Sequence, residues 1–199
     1  MDEVIPGVWD WTTYHDGIGM DVHSHFHAPS GTLIDPRMPE EGLEWFKRAE
    51  PRRIVLTNRH HHRHSAEFAQ AFGCPVLCHE AGLHAFEGDD RVEGYAFGDE
   101  LAPGVRALEV GVITPEESAL HLEGGVGVLA LADCVIDVGD GLAFVPDSLL
   151  GDDPAAIRDG LRAALGRLAR EVEFDALLLA HGPPRRSGAR NELRDFAAG

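Results

Sequence analysis

Three stretches of this chain are apolar on both faces, and each ends on a group able to bind a metal or move a proton. Arg53–Thr57 runs into Asn58-Arg59-His60-His61-His62-Arg63-His64, Val126–Leu131 into Ala132-Asp133, and Phe174–Ala180 into His181-Gly182. Continuous apolar runs of this length predict interior strands covered on both sides, so helices should flank the sheet. The strongest helix signal spans Pro154 to about Glu171: Asp153 is a suitable N-cap, Pro154 suits the first helical position, and Ile157, Leu161, Leu165 and Leu168 recur at helical spacing. Weaker helices are predicted around Pro39–Ala49 and Ser65–Phe72, and short strands over Gly31–Ile34, Val105–Val110 and Ser118–Leu122. With no internal repeat and no obvious linker, the expected class is α/β, with residues 1–199 forming one domain.

Charge narrows the function. The 34 acidic residues against 17 Lys plus Arg leave a formal net charge of −17, which disfavours nucleic acid and anionic membranes as partners because both need a basic face. No basic-then-apolar amino terminus and no apolar run of membrane-spanning length is present. Cys74, Cys78 and Cys134 are an odd set in a chain without a secretion signal, so a reducing cytoplasm is the expected compartment. Histidine is abundant: 12 in all, clustered towards the amino-terminal half.

In sheets covered by helices, ligands collect at the carboxyl ends of strands, where loops converge. Three separate strands delivering His, Asp and His to one edge is therefore the feature with the most functional content. For either Asp133 or His181 alone, capping a helix or bonding a loop backbone is an equally good explanation. Together, capping explains them less well.

These landmarks resemble the metallo-β-lactamase fold, in that family's order. Leu33-Ile34-Asp35-Pro36 resembles its early strand and turn, and Ile54-Val55-Leu56-Thr57 with the following histidines resembles its I-x-L-T-H-x-H-x-D-H segment. Gly98-Asp99-Glu100-Leu101 with Pro103-Gly104-Val105 resembles its hairpin, Ala132-Asp133 its G-D, and Ala180-His181-Gly182-Pro183 its closing G-H-G. The resemblance covers roughly residues 4 to 184 and implies an αββα sandwich, two mixed sheets face to face with helices outside and a metal site at one sheet edge.

The departures from that pattern bear on function. Without a gap, the motif's first and second histidines fall on Asn58 and His60, its Asp on His62 and its third histidine on Arg63; a one-residue shift puts Arg59, His61, Arg63 and His64 in those slots. The metal-binding histidine of the family's P-G-H-T-x-G-S segment is replaced by Val112 or Ile113. The resemblance thus implies that the first metal site is lost. The second can survive as His62 or His64 with Asp133 and His181, and with His60 or His61 nearby. Zinc accepts three such ligands and leaves a position for water, whose pKa falls to roughly 7; iron or manganese suits the same donors. Arg59 and Arg63 would oppose a nearby cation, yet can bind a carboxylate or phosphate bidentately.

The expectation is a metallo-hydrolase-like protein with at most one divalent ion, zinc foremost, attacking an ester-like bond (thioester, lactone or phosphoester). In it Asp133 is the catalytic group, His60, His62, His64, Asp133 and His181 are the candidate metal ligands, and Arg59 and Arg63 bind an anionic small-molecule substrate. The alternative is a metal-free pseudoenzyme of the same fold that binds a small anionic ligand or a protein partner. A solvated histidine loop that collects metal adventitiously is the plainest reading of the cluster, and a histidine-rich storage or sensing protein a further one.

Other features suggest less chemistry. His23, His25 and His27 alternate on one strand face, which reads as a half-exposed face with at most one of them at the pocket. Cys74-Pro75-Val76-Leu77-Cys78-His79 has neither redox nor haem spacing, and Glu123–Gly127 reads as a hairpin turn. Phe144–Asp153 can close over the site, with Asp147 a candidate pocket acid.

Overall fold

A computed structural model describes residues 1–89 and 91–199. Its first sheet has seven strands in sequential order: β1 (Asp2–Ile5), β2 (Val8–His15), β3 (Met20–His27), β4 (Thr32–Ile34), β5 (Arg53–Val55), β6 (Val76–His79) and β7 (Val92–Tyr95). Neighbours are antiparallel from β1 to β4 and parallel from β4 to β7. The second sheet comprises β8 (Glu100–Ala102), β9 (Val105–Glu109), β10 (Ser118–Leu122), β11 (Val128–Leu131), β12 (Ala176–Leu179) and β13 (Gly182–Arg185), in the order β13-β12-β11-β10-β9-β8. In it only β11 and β12 run parallel.

The helices cover the outer faces. On one side α1 (Ser65–Phe72) and a 3₁₀ segment at Leu43–Arg48 cover Phe26, Leu33 and Ile54, with Phe46 in edge-on contact with Trp11, Phe26, Trp45 and Phe68. On the other, α2 (Pro154–Glu171) and α3 (Ala189–Ala198) bury Leu161, Leu165, Leu168 and Leu193 against Leu129, Leu177 and Leu179. Between the sheets Val8, Ile34, Val55, Leu120, Ala130 and Leu178 form the central apolar layer. These layers make the αββα sandwich.

The α2 bounds agree with the expected Pro154–Glu171, and the Asp153 carboxylate caps Ala156 N–H at 3.0 Å. The helix expected around Pro39–Ala49 is a shorter 3₁₀ segment. It is anchored by packing of Trp45 and Phe46 and not by a cap, since Gly42 offers no side chain. The Glu123–Gly127 stretch is the turn joining antiparallel β10 and β11. The histidine face of β3 is not half-exposed: His23, His25 and His27 are 8 %, 2 % and 8 % exposed because that face turns inward beside Asp10 and Ser30.

The two sheets are clamped at the end where the parallel strands finish. Ser118 N–H donates to Thr57 O at 2.8 Å, His23 N–H to Ala180 O at 2.9 Å, and the Tyr95 hydroxyl lies 2.9 Å from Ser118 Oγ. The parallel pairs β4/β5 and β11/β12, one in each sheet, therefore direct their carboxyl ends to one edge.

Candidate metal centre and cavity

Four strand ends supply the site. Asp35 follows β4, the Thr57–His61 turn follows β5, Asp133 follows β11 and His181 follows β12. After β5 the chain makes a 3₁₀ turn over Arg59–His61, capped by the Asn58 carbonyl of the side chain on His60 N–H at 2.9 Å. This turn rotates His61 inward, so that its Nε2 lies 3.3 Å from Asp133 Oδ1, while His181 Nε2 lies 3.0 Å from the same oxygen. One ligand atom each from His61, Asp133 and His181 falls within 4.8 Å of the others. The second Asp133 oxygen accepts from Asn58 Nδ2 at 3.1 Å.

Asp35 lies behind His61 and is 1 % exposed. It accepts Thr57 N–H at 2.8 Å and His61 Nδ1–H at 2.9 Å, and the Thr57 hydroxyl donates to it as well. Arg63 Nη1 donates to the main-chain oxygens of His23 and Asp35 at 2.6 and 2.8 Å, whereas its Nη2 is buried without a partner among the described residues. Asp35 and Arg63 are the two non-glycine residues in the left-handed backbone region among those described, with φ of 48° and 47°. Such strained conformations persist where surrounding contacts over-determine them, and they concentrate at functional sites.

The electrostatics follow from this packing. Burial would raise the Asp133 and Asp35 carboxyls, but the charge and hydrogen bonds of the adjoining imidazoles (with Arg63 and Thr57 at Asp35) hold both below the usual carboxylate range. Burial would lower His61, yet the carboxylates of Asp133 and Asp35 push it up to about 9. Glu117, fully buried with one oxygen accepting Cys134 N–H at 2.6 Å, is pushed up to about 8 by burial and by the charge of Asp133.

The residues singled out in the sequence divide sharply. Asp133 and His181 meet, and the imidazole that joins them is His61, from the shifted register of the cluster. His60 is exposed on the cavity wall. His62 turns away against the Phe86 ring, with centroids 5.3 Å apart, and His64 Nδ1 accepts Met38 N–H at 2.8 Å. Arg59 pairs with the buried Glu116, and Arg63 is turned into the fold. Asp147 pairs with Arg158, outside the cavity. Asp35 and Glu117 were not anticipated as site residues. Asp35 shares the signal that marked the others, a polar group directly after a buried strand; Glu117 has no such local signature.

The donor set fits one divalent cation. Two imidazole Nε2 atoms and a carboxylate converge, the set matches a three-ligand zinc site, and His61 is oriented through Nδ1 by a carboxylate, as metal-binding histidines usually are. Among the described residues no second group of three such donors comes together. The centre opens into a cavity of about 860 Å³ walled by Ile18, Met20 and Val22 of the β2–β3 hairpin, by Ile113 and Ile157, and by Val145, Pro146 and Leu149–Asp153.

A second buried polar cluster lies on β2 and β3. Asp10, 7 % exposed, accepts His23 Nδ1–H at 3.0 Å, and His25 Nδ1 lies 3.0 Å from the same oxygen, off the hydrogen-bonding direction. Burial would raise this carboxyl, but its contacts with the two imidazoles hold it far below the usual range. A carboxylate depressed on folding stabilises the protein above its unfolded pKa of about 4, and that contribution is lost as the pH falls. Between about pH 5 and about pH 3 the parent should thus lose more unfolding free energy than Asp10→Asn in urea titrations. Parallel pH profiles for the two proteins would refute this.

No protein-family model matches the chain, and no curated protein sequence does either. Solved structures match it in fold. A metallo-beta-lactamase from Pontibacter korlensis superposes with a TM-score of 0.70 at 20 % identity, covering 100 % of this chain and 98 % of that one. The DIM-1 metallo-beta-lactamase gives a TM-score of 0.73 at 15 % identity over 99 % and 95 % of the two chains. A flavoprotein from Thermotoga maritima also matches, with a TM-score of 0.62 at 14 % identity over 96 % of this chain and 57 % of that one. A fold shared by a lactamase and a flavoprotein does not choose a chemistry. The chain has the metallo-β-lactamase fold, with His61, Asp133 and His181 gathered at one edge of the sheets.

Proposed function

We propose that the protein is a metal-dependent hydrolase in which His61, Asp133 and His181 hold a single divalent cation, zinc foremost, and cleave an ester-like bond. The observation behind this reading is the approach of two imidazole Nε2 atoms to one carboxylate oxygen at the floor of a large cavity. When bound, such an ion polarises a carbonyl and acidifies water to a pKa of roughly 7, supplying a nucleophile at neutral pH. The chain's own groups do the remaining work. Asp35 fixes the His61 ring so that Nε2 faces Asp133, and Asn58 holds the Asp133 carboxylate in place. The unpartnered Arg63 Nη2 offers a buried donor for a substrate carbonyl oxygen.

The test is metal content per chain by plasma mass spectrometry on protein purified without a histidine tag. About one divalent ion is expected in the parent, lost in His61→Ala, Asp133→Ala and His181→Ala and retained in His62→Ala and His64→Ala. An amount indifferent to the first three substitutions would overturn the reading. The buried Arg63 guanidinium, a fixed cation beside Asp35 and Asp133, favours a second one: a metal-free pseudoenzyme that binds a small ligand. A parent holding no ion would select it.

A further inference from the structure

The two arginines that could recognise an anion are both engaged inside the fold. Arg59 pairs with Glu116, whose side chain is fully buried, and Arg63 donates to two carbonyl oxygens, its charge balanced by the flanking Asp35 and Asp133 carboxylates, so that its free Nη2 is left as a hydrogen-bond donor and not as an unpaired cation. The cavity mouth carries Asp152 and Asp153, and the whole chain has a formal charge of −17, so the approach is unfavourable for an anion. The walls, by contrast, are hydrocarbon. Met20 and Val22 on one side face Ile113 and Ile157 on the other, and Ile18 and Leu149 stand 54 % and 63 % exposed at the entrance. Large apolar side chains so exposed at the mouth of a cavity that already ends in polar groups point to an apolar ligand.

We infer that this cavity takes an uncharged substrate with a hydrocarbon chain, its ester-type carbonyl at the His61–Asp133–His181 end and its chain between the β2–β3 hairpin and the start of α2. This rests on the hydrolase reading for which end reacts, and it excludes phosphoesters and free carboxylates. It also identifies Leu149 and Ile157 as determinants of specificity.

Binding of neutral primary amides tests it without turnover. Butanamide, hexanamide and octanamide would be titrated calorimetrically into the purified protein, beside octanoate and octyltrimethylammonium. Affinity should rise roughly threefold to fourfold per added methylene, the increment for burying a CH₂. In protein stripped of metal with a chelator, octanoate and octyltrimethylammonium should each bind at least about tenfold more weakly than octanamide, since the Asp133 and Arg63 charges at the polar end already face partners within the fold and a buried ligand charge would lose its hydration. Leu149→Ser and Ile157→Ser should weaken octanamide severalfold with little change in melting temperature, while Val126→Ser, on the β10–β11 turn and 51 % exposed, should leave it unchanged. Affinity independent of chain length, or octanoate or the ammonium bound as tightly as octanamide, would overturn the inference. Because heat of binding is read and not hydrolysis, a protein without metal can still pass this test, and a one-ion protein can still fail it.

Discussion

Asp35→Ala should lose about 3–5 kcal/mol of stability, the range for removing one partner from a buried ionic cluster. The carboxylate is 1 % exposed and takes hydrogen bonds from Thr57 N–H, the Thr57 hydroxyl and His61 Nδ1, with the Arg63 guanidinium beside it. Alanine would leave these donors buried without an acceptor and two cationic groups without their counter-charge. It would also have to adopt the left-handed backbone of this position, φ 48°, which aspartate and asparagine tolerate better than alanine. Asp35→Asn separates these causes. It keeps the shape, one acceptor and the backbone preference while removing the charge, and should cost about 1–3 kcal/mol. Because Asp35 orients His61, the asparagine variant should also weaken metal binding by about tenfold to a hundredfold. Urea unfolding and competition with a chelating dye measure the two effects. An alanine variant within about 1 kcal/mol of the parent would show that the cluster is not coupled as its geometry requires.

The legible parts of this protein are those whose causes are local in the chain. Helix α2 announces itself through Asp153, Pro154 and a 3.6-residue apolar period, and the central strands through runs apolar on both faces. Strands β1 and β2 do not, because Asp2, Glu3, Asp10 and Thr12 break the apolar signal in the edge strand and its neighbour, and β13 is hidden by two prolines that an edge strand accepts. Asp133 and His181 were readable as groups ending buried strands. The choice of His61 over its neighbours was not, because it depends on Asp35, 26 positions away, and on a single 3₁₀ turn that decides which imidazole points inward. The engagement of the arginines was hidden for a related reason. Their type suggests an anion, and only the fold reveals that Glu116, Asp35 and the His23 carbonyl already engage them.

Gly182→Ala should remove about 2–6 kcal/mol and, with it, metal binding. Gly182 begins β13 directly after His181 with φ 148°, a conformation that residues with a Cβ rarely adopt. A Cβ here would meet Asp137 O at 2.7 Å and Asp137 N at 2.9 Å, so backbone would have to move and no side chain could swing aside to relieve the clash. Asp137 N–H donates to His181 O at 2.8 Å, while the Asp137 carboxylate takes Gly139 N–H at 2.7 Å and pairs with Arg185. Pushing Asp137 away therefore breaks the bond that fixes the His181 main chain and loosens the segment after Asp133 at the same time. The strain contributes about 1–3 kcal/mol and the overpacking a similar amount. Far from the site, Gly127 offers a control of the same kind. Its φ is 68° and an added Cβ would lie 2.4 Å from Glu173 O, yet it belongs to the β10–β11 turn. Gly127→Ala should destabilise comparably but, where folded, keep its metal, whereas Gly182→Ala should fail to hold an ion even below its melting temperature. Equal metal content in the two variants would refute the proposed link between the Gly182 turn and the position of His181.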